Sequence, residues 1–443
     1  MSLFSVRNNK IIVFFISTKE WIVSELQTVA AAFAQKVFDD IREMSRDVQG
    51  VSRQGYSQKE SEVLDYLKGI GQELNLEITS DRAGNVWMTL PGKDRSLPAF
   101  VSGSHVDSVP QGGNYDGLAG VTAALTVAWW MRHTQYQPTR DYTVLMMRGE
   151  ESSFFGKAYM GSLGMFGQLT EKDLNLKHRD GTITLGESMK AVGVDLADVT
   201  GGKPLVDVSK IAAFVELHIE QGPTLDAQKE ARAGVVTGIR GNIRHKAVRI
   251  VGEAAHSGAT DKPYRHDALM AFTDLMQRMD RAWDKWLVMG EDLVFTVGVL
   301  KMASSAAISV IPGEVTFSVD IRSLSEETAQ RFHELLVRTA EEVAQERGVK
   351  VEFDGQLITK PSGVNAQLSA TLEQSAQLEN IPYLKLASGA GHDSAVLGNN
   401  GVPVAMIFVA NQLGSHNPHE AMKLEDFMQG TDILWAAVSH YDN

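Results

Sequence analysis

Four short segments of this sequence place histidines and carboxylates at spacings that suit metal binding beside a free carboxylate base. Gly103-Ser104-His105-Val106-Asp107 follows a short apolar run, and Tyr115-Asp116-Gly117 comes soon after. A His-x-Asp pair suits an imidazole that holds a metal through one ring nitrogen while the carboxylate orients the other. A carboxylate at Asp116, on a sharp turn that Gly117 permits, can bridge two ions. The second segment is Glu150-Glu151, after the apolar run ending at Met147. Adjacent carboxylates there repel each other and are costly to bury without a cation. With a cation present, one ligates it and the other stays free as a general base.

The third segment, Glu216-Leu217-His218-Ile219-Glu220-Gln221-Gly222-Pro223, puts residues 216, 218 and 220 on one face of a strand that begins apolar. The fourth, Gly414-Ser415-His416-Asn417-Pro418-His419-Glu420, carries two histidines, and either one can ligate or cap a turn. The chain has no cysteine. Disulfides, thiolate zinc sites, iron–sulfur clusters and a cysteine nucleophile are excluded together. Any metal must therefore draw on the 12 His and the 55 Asp and Glu. The formal charge of −13 argues against a nucleic-acid partner, and no phosphate-binding glycine loop points to a nucleotide.

The elements that must position these residues follow from the apolar pattern. Leu26, Val29, Ala30, Phe33, Val37 and Ile41 recur at helical spacing. Pro98 to Val101, Tyr142 to Met147, Ile211 to Leu217 and Val404 to Val409 read as strands, and Leu118 to Met131 as a helix apolar nearly all round. That alternation predicts an α/β layered domain. A middle block has another rhythm: strand Lys246 to Val251, helix His266 to Leu287, strands Leu293 to Leu300 and Glu314 to Ile321, helix Ser325 to Arg347, and strand Val349 to Phe353. Ser323 and Glu326 are placed to form a capping box for the second helix. The order β-α-β-β-α-β is ferredoxin-like, so an insert interrupts the α/β domain, which resumes near residue 355. The apolar run Ile11 to Ile16 is too short for a bilayer, which needs ~20 residues, and no cleavage pattern follows it. Residues 1–20 are read as an N-terminal extension, and the protein as cytoplasmic with no membrane partner.

GSHVDSVPQGGNYDG, the Glu-Glu pair, ELHIEQGP, AAHSGAT, SGAGHDSA and GSHNPHE occur in the order and spacing of the M20-type dinuclear metallohydrolases. More narrowly, the chain resembles their carbamoylase branch, which holds N-carbamoyl-L-amino acid hydrolases, allantoate and ureidoglycolate amidohydrolases and β-alanine synthase. The resemblance runs from about Leu26 to the C-terminus. It implies a three-layer αβα catalytic domain over 21–237 and 355–443, interrupted by an α+β dimerisation or lid domain over 238–354. It further implies two divalent ions, Zn²⁺ first and Mn²⁺, Co²⁺ or Ni²⁺ as alternatives. His105, Asp116 and His218 would hold one ion, and Asp116, Glu151 and His416 the other. Two ions roughly 3.5–4 Å apart need a shared anionic ligand, here Asp116. Asp107 would orient a ligand, Glu150 would be the general base, and His256 of the lid would donate to the oxyanion from the partner subunit of a homodimer. Substrate contacts map to Gln221, His256, Ser309, Arg322 and the Gly389-Ala390-Gly391 loop.

Four departures from the family pattern border the substrate positions. Ser309 stands where asparagine is usual, the lid motif continues Ser257-Gly258-Ala259-Thr260, Ser152-Ser153-Phe154-Phe155 follows the Glu pair, and the loop before His416 is one residue shorter, with Ala410-Asn411-Gln412-Leu413. The leading expectation is hydrolysis of the ureido C–N bond of an N-carbamoyl-L-amino acid or related ureido acid such as allantoate, releasing ammonia, CO₂ and the amine. An aminoacylase or dipeptidase and a catalytically inactive binding protein are the competing readings.

Overall fold

Residues whose neighbours are all apolar need partners on both faces, and the runs read as strands find them in one mixed sheet. The computed structural model describes residues 2–7, 10–15 and 18–442, with side chains from Glu25 to Asp442. The expected N-terminal extension, 1–20, lies outside the residues whose side chains are described. The chain divides into two compact units. The first comprises 1–236, 364–386 and 392–443, and the second 237–363 and 387–391.

In the first unit, Ala99–His105 pairs in parallel with Tyr142–Met147 on one side and Ile211–Ile219 on the other. Val404–Val409 extends this core in parallel, with Val404 opposite Phe214 and Val409 opposite Ile219. Antiparallel partners flank it: Val86–Leu90 beside Tyr142–Met147, and residues 233–235 beside 407–409. Every residue of Tyr142–Met147 and Val404–Val409 is buried, as a parallel sheet covered on both faces requires. One face packs against Thr18–Ser45, Leu118–His133 and Leu424–His440. The other meets Met165, Phe166, Val396 and Leu397, from Met160–Met165, Asp393–Asn399 and the chain beside them. The result is three layers, helix on sheet on helix. Its parallel strands all run to one edge, where open α/β sheets place their ligands.

One packing feature of this unit has a measurable consequence. Burial, with the charge of Glu379 adding to it, pushes the Asp432 carboxyl on the helix Leu424–His440 up to about 7. The folded chain therefore keeps a proton there that the unfolded chain releases near pH 4. Ionisation favours the unfolded state between those values, so stability falls as pH rises from 4 to 7 and stays lower above. Asp432→Asn should flatten that slope: thermal melts at pH 5 and pH 7.5 should differ less for the variant than for the wild type. An unchanged difference would show that Asp432 is not the group responsible.

The second unit is an antiparallel sheet in the order Val294–Thr296, Glu314–Ser323, Gly241–Val251, Lys350–Glu352. Ala268–Val288 and Glu326–Arg347 pack on it through Leu275, Met279, Phe332 and Leu336 against Val248, Ile250, Phe317 and Ile321. This is the ferredoxin-like order expected for the insert. Three local expectations change. The single strand Leu293 to Leu300 is two, Val294–Thr296 and Leu300–Met302, because the register slips between Thr296–Asp320 and Leu300–Phe317. Ser325, rather than Ser323, caps the following helix by accepting from Thr328 N at 3.1 Å, while Ser323 Oγ donates to Asp292 O. The chain also leaves this unit at Gly363 rather than near 354. Leu357–Thr359 adds to Gly241–Val251, and Ser362–Gly363 pairs with residues 238–239. Among the described residues, no helix is long and apolar enough to cross a membrane.

Candidate metal centre

The four parallel strands of the first unit deliver their chemistry at the same edge. His105 ends Ala99–His105, Glu150 and Glu151 follow Tyr142–Met147, His218 lies next to the end of Ile211–Ile219, and His416 sits in the loop after Val404–Val409. Asp116 comes from the turn that opens the helix Leu118–His133. Gly117 makes that turn with φ +68°, and a Cβ there would lie 2.3 Å from His105 Cε1. Only glycine lets Asp116 and His105 approach each other this way.

The two oxygens of Asp116 face different partners. Oδ1 lies 3.5 Å from His105 Nε2 and 3.1 Å from His218 Nε2, whereas Oδ2 lies 3.4 Å from His416 Nε2. His416 Nε2 is also 3.2 Å from Glu151 Oε1. Two trios result, His105–Asp116–His218 and Asp116–Glu151–His416, and within each the ligand atoms lie within 4.8 Å of one another. Each oxygen of one carboxylate thus belongs to a different trio. His419, the alternative in the last motif, is in neither.

The donor set fits cations. Asp107, Asp116, Glu150 and Glu151 are all buried, and so many carboxylates in a low-dielectric edge need positive charge. Protons supply it in the metal-free chain. Burial opposes charge on His105, yet hydrogen bonds with Asp107 and Asp116 and the charge of Glu150 hold its imidazole well above the usual range. His416 is pushed up to about 11 by Asp116 and Glu151. Burial would raise Asp116, but His218, His105 and His416 hold it well below the usual carboxylate range. A divalent ion replaces such protons and frees the imidazole lone pairs as ligands. Imidazole and carboxylate without sulfur suit Zn²⁺ and also Mn²⁺, Co²⁺ or Ni²⁺.

Asp107 organises the edge through hydrogen bonds. Its Oδ1 accepts from Glu150 N at 2.9 Å and its Oδ2 from Glu151 N at 3.0 Å, and Oδ1 is 3.4 Å from His105 Nδ1. The carboxylate thereby fixes both glutamates, while the Asp107 backbone O, 3.1 Å from His105 Nδ1, meets the candidate ligand. Glu150 belongs to neither trio, but its Oε2 lies 4.0 Å from His105 Nε2. Burial pushes its carboxyl well above the usual range, and Glu151, Asp393 and Asp107 push the same way against His105. A carboxyl displaced upward in this way holds a proton more readily than a free glutamate, which suits a group that must accept one and later return it.

Further carboxylates and an amide hold these residues in place. Glu420 Oε1 accepts from Tyr115 N and Asp116 N, and Ser415 Oγ lies between Glu420 Oε2 and Asp116 Oδ2, within hydrogen-bond distance of both. Glu216, under His218, accepts from Ser104 Oγ, Ser394 N and Ser394 Oγ. The buried pair Glu60–Arg148 holds the start of the glutamate loop: Glu60 accepts from Arg148 Nε at 2.6 Å and from Gly149 N at 3.0 Å. Gln221, expected at the substrate, donates from Nε2 to Asp116 Oδ2 at 2.7 Å and has a left-handed backbone, φ +64°.

The other expected substrate residues belong to the second unit. His256 and Ser309 lie on facing chains: Ala255–His256 pairs with Val310–Ile311, and Ser257 N donates to Ser309 O. His256 is exposed, and its Nδ1 accepts from Gly258 N at 3.2 Å, which leaves the ring proton of a neutral imidazole on Nε2 as a donor. Arg322 is held by Asp320, with Nη2–Oδ2 at 2.7 Å, and by Gly389 O. Those bonds engage Nε, Nη2 and Nη1, so Arg322 is held at all three nitrogens. Ser388 Oγ donates to Ala390 O at 2.8 Å and shapes the Gly389–Gly391 turn.

Comparison with known proteins places the chain in a family. The profile of peptidase family M20/M25/M40 matches residues 101–440. Allantoate amidohydrolase of Escherichia coli K12 is 33% identical over 388 residues, covering 87% of this chain and 91% of that protein. N-carbamoyl-L-amino-acid amidohydrolase of Paenarthrobacter aurescens is 29% identical over 94% of this chain and 100% of that one. A hydantoinase/carbamoylase family amidase from Burkholderia ambifaria superposes with a TM-score of 0.82 at 27% identity, covering 92% of this chain and 96% of that chain.

Proposed function

Since the chain belongs to peptidase family M20/M25/M40 and is an amidohydrolase of the carbamoylase/allantoate group, acting on C–N bonds, we propose that it hydrolyses the ureido C–N bond of an N-carbamoyl-L-amino acid or a closely related ureido acid. The observation that carries this reading is the placement of Asp116 between the two His/carboxylate trios, with Glu150 beside them and in neither.

In this reading His105, Asp116 and His218 hold one divalent ion, and Asp116, Glu151 and His416 the other, with Zn²⁺ the first candidate. When bound, such ions lower the pKa of water from ~15.7 towards 7 and polarise a carbonyl oxygen. The Glu150 carboxylate accepts a proton from the attacking water and then delivers it to the leaving nitrogen, so that one group serves as base and acid in turn. Asp107 keeps Glu150 in place through its backbone N–H and orients His105. His256 Nε2–H donates to the developing oxyanion. Arg322 takes the substrate carboxylate, and Ser309, with Gln221 and residues 389–391, completes the recognition set. Ammonia, CO₂ and the free amine are the products.

Relatives named for N-carbamoyl amino acids and allantoate support a small ureido acid as substrate. The deciding experiment strips the purified protein with a chelator, restores Zn²⁺, Mn²⁺, Co²⁺ or Ni²⁺, and measures ammonia from N-carbamoyl-L-amino acids, allantoate and ureidoglycolate. N-acetyl amino acids and dipeptides serve as amine-release controls. Ammonia release from at least one ureido acid is expected. Turnover of the controls alone would make the chain an aminoacylase or dipeptidase, and no turnover at all would remove the reading.

The inserted unit is proposed to form a homodimer that brings His256 to the neighbouring site. Mixing His256→Ala with Glu150→Gln under subunit exchange should then recover activity, up to about a quarter of the wild-type value if dimers re-form at random. Heterodimers without activity would place His256 in its own subunit's site.

A further inference from the structure

Arg53 is fully buried beside the candidate metal centre. Nothing in the proposed chemistry uses it. Burial pulls its guanidinium down to about 10, against the opposing charges of Asp107, Glu420, Asp116 and Glu60. The bonds it makes go to oxygens of the chain rather than to a carboxylate: Nε donates to Val106 O at 2.8 Å, and Nη1 to Asn114 Oδ1 at 2.9 Å. Its backbone N donates to Ser108 Oγ at 3.0 Å, and its backbone O accepts from Ser108 N at 2.9 Å. Nη2 has no hydrogen-bond partner among the described residues.

A buried cation with an unsatisfied donor is costly, and a methionine or leucine would fill the same space without that penalty. What an arginine offers here that an apolar side chain does not is a forked donor. The two acceptors show what the fork joins. Val106 lies between His105 and Asp107, and Asn114 lies two residues before Asp116. The planar fork therefore ties the segment carrying one candidate ligand to the segment carrying the bridging one, at a spacing fixed by the rigid guanidinium. Asn114 passes the restraint on, because its Nδ2 donates to Phe38 O at 2.8 Å in the helix Thr18–Ser45.

We propose that Arg53 is a positioning residue that sets the separation of His105 and Asp116 through the Val106 carbonyl and Asn114, and so sets the affinity of this edge for divalent cations. The proposal rests on the ligand roles given to His105 and Asp116, and the test separates the two. Arg53→Lys keeps the charge and loses the fork. Asn114→Ala leaves the charge alone and removes one of the fork's acceptors. Zn²⁺ binding to the metal-stripped full chain, read by competition with a chromophoric chelator, needs no turnover. Each single variant should bind Zn²⁺ at least tenfold more weakly than the wild type. The double variant should be within about twofold of the weaker single, since both changes break one linkage. Thermal melting of the stripped protein identifies which variants are folded; should Arg53→Lys fail to fold, Asn114→Ala carries the measurement alone. Zn²⁺ affinity within twofold of wild type in a folded single variant would overturn the proposal, as would losses that multiply in the double. A wild-type chain with no Zn²⁺ affinity, or one whose affinity survives His105→Ala, would instead overturn the ligand reading on which the proposal stands.

Discussion

Glu150→Gln is expected to lower kcat by about 10³, within the range of 10²–10⁴ attributed to a positioned general acid–base, while metal content stays at the wild-type value. The amide is nearly isosteric with the carboxylate, so the hydrogen bond from Glu150 N to Asp107 and the packing of the loop survive. What disappears is the ability to take a proton from water and return it to nitrogen. Glu150 lies in neither trio, so losing its charge should cost no ligand. Two measurements decide the matter together: steady-state rates on the best ureido acid, and metal per chain by atomic emission after gel filtration. A variant that loses metal in step with activity would show that Glu150 ligates and would move the base role to Glu151. A variant with near-normal kcat would require another base altogether. The pH profile adds a sharper constraint. The acid limb of kcat/KM in the wild type should report a carboxyl displaced upward by burial, and that limb should be missing from the residual activity of the variant.

The contrast between Glu150 and Arg53 explains how much of this site can be read from sequence. His105, Asp116, Glu150, Glu151, His218 and His416 each fall in a short motif beside a strand end, and a strand end can be recognised from a few apolar residues before it. The alternation of strands and helices likewise gives away the layered domain, and the βαββαβ rhythm the insert. Residues that reach the site from elsewhere leave no such trace. Glu60 meets Arg148 across 88 positions, and Arg53 reaches Asn114 across 61. A buried glutamate on an amphipathic helix or an arginine before a turn looks like any solvated charge until the fold closes around it. Local signals also fail where two compete. Ser323 and Ser325 can each cap the helix at Glu326, and only the demand of the Asp292 carbonyl on Ser323 decides between them. The end of the insert was equally hidden. Leu357–Thr359 is a three-residue edge strand, too short for alternation to register against a loop.

The second large effect falls on Asp116, and its two-sided contacts make the outcome specific. Asp116→Asn should leave the chain with less than one ion per subunit and reduce kcat/KM by at least about 10³, because a shared anion is what lets two cations lie close together. The amide keeps one oxygen, which can face His105 and His218 or else His416, but it no longer neutralises both. His416→Ala should behave differently. Its ring is half-exposed, at 52% for the side chain against 2% for His105 and 1% for His218, and it sits on a loop with left-handed backbone at Leu413, Gly414 and His416 itself. Removing it leaves the buried trio His105–Asp116–His218 intact, so one ion per subunit should remain after dialysis against chelator-treated buffer. The two variants therefore separate the bridging role from simple ligation by metal count alone. If Asp116→Asn kept two ions per subunit, the bridging assignment would fail even if activity were lost. If His416→Ala lost both ions, the trios would have to be treated as one indivisible site. The wild type should accordingly release its ions to a chelator in two steps. The ion held by the loop histidine should leave first, and when metal is limiting it should return only after the buried trio is filled.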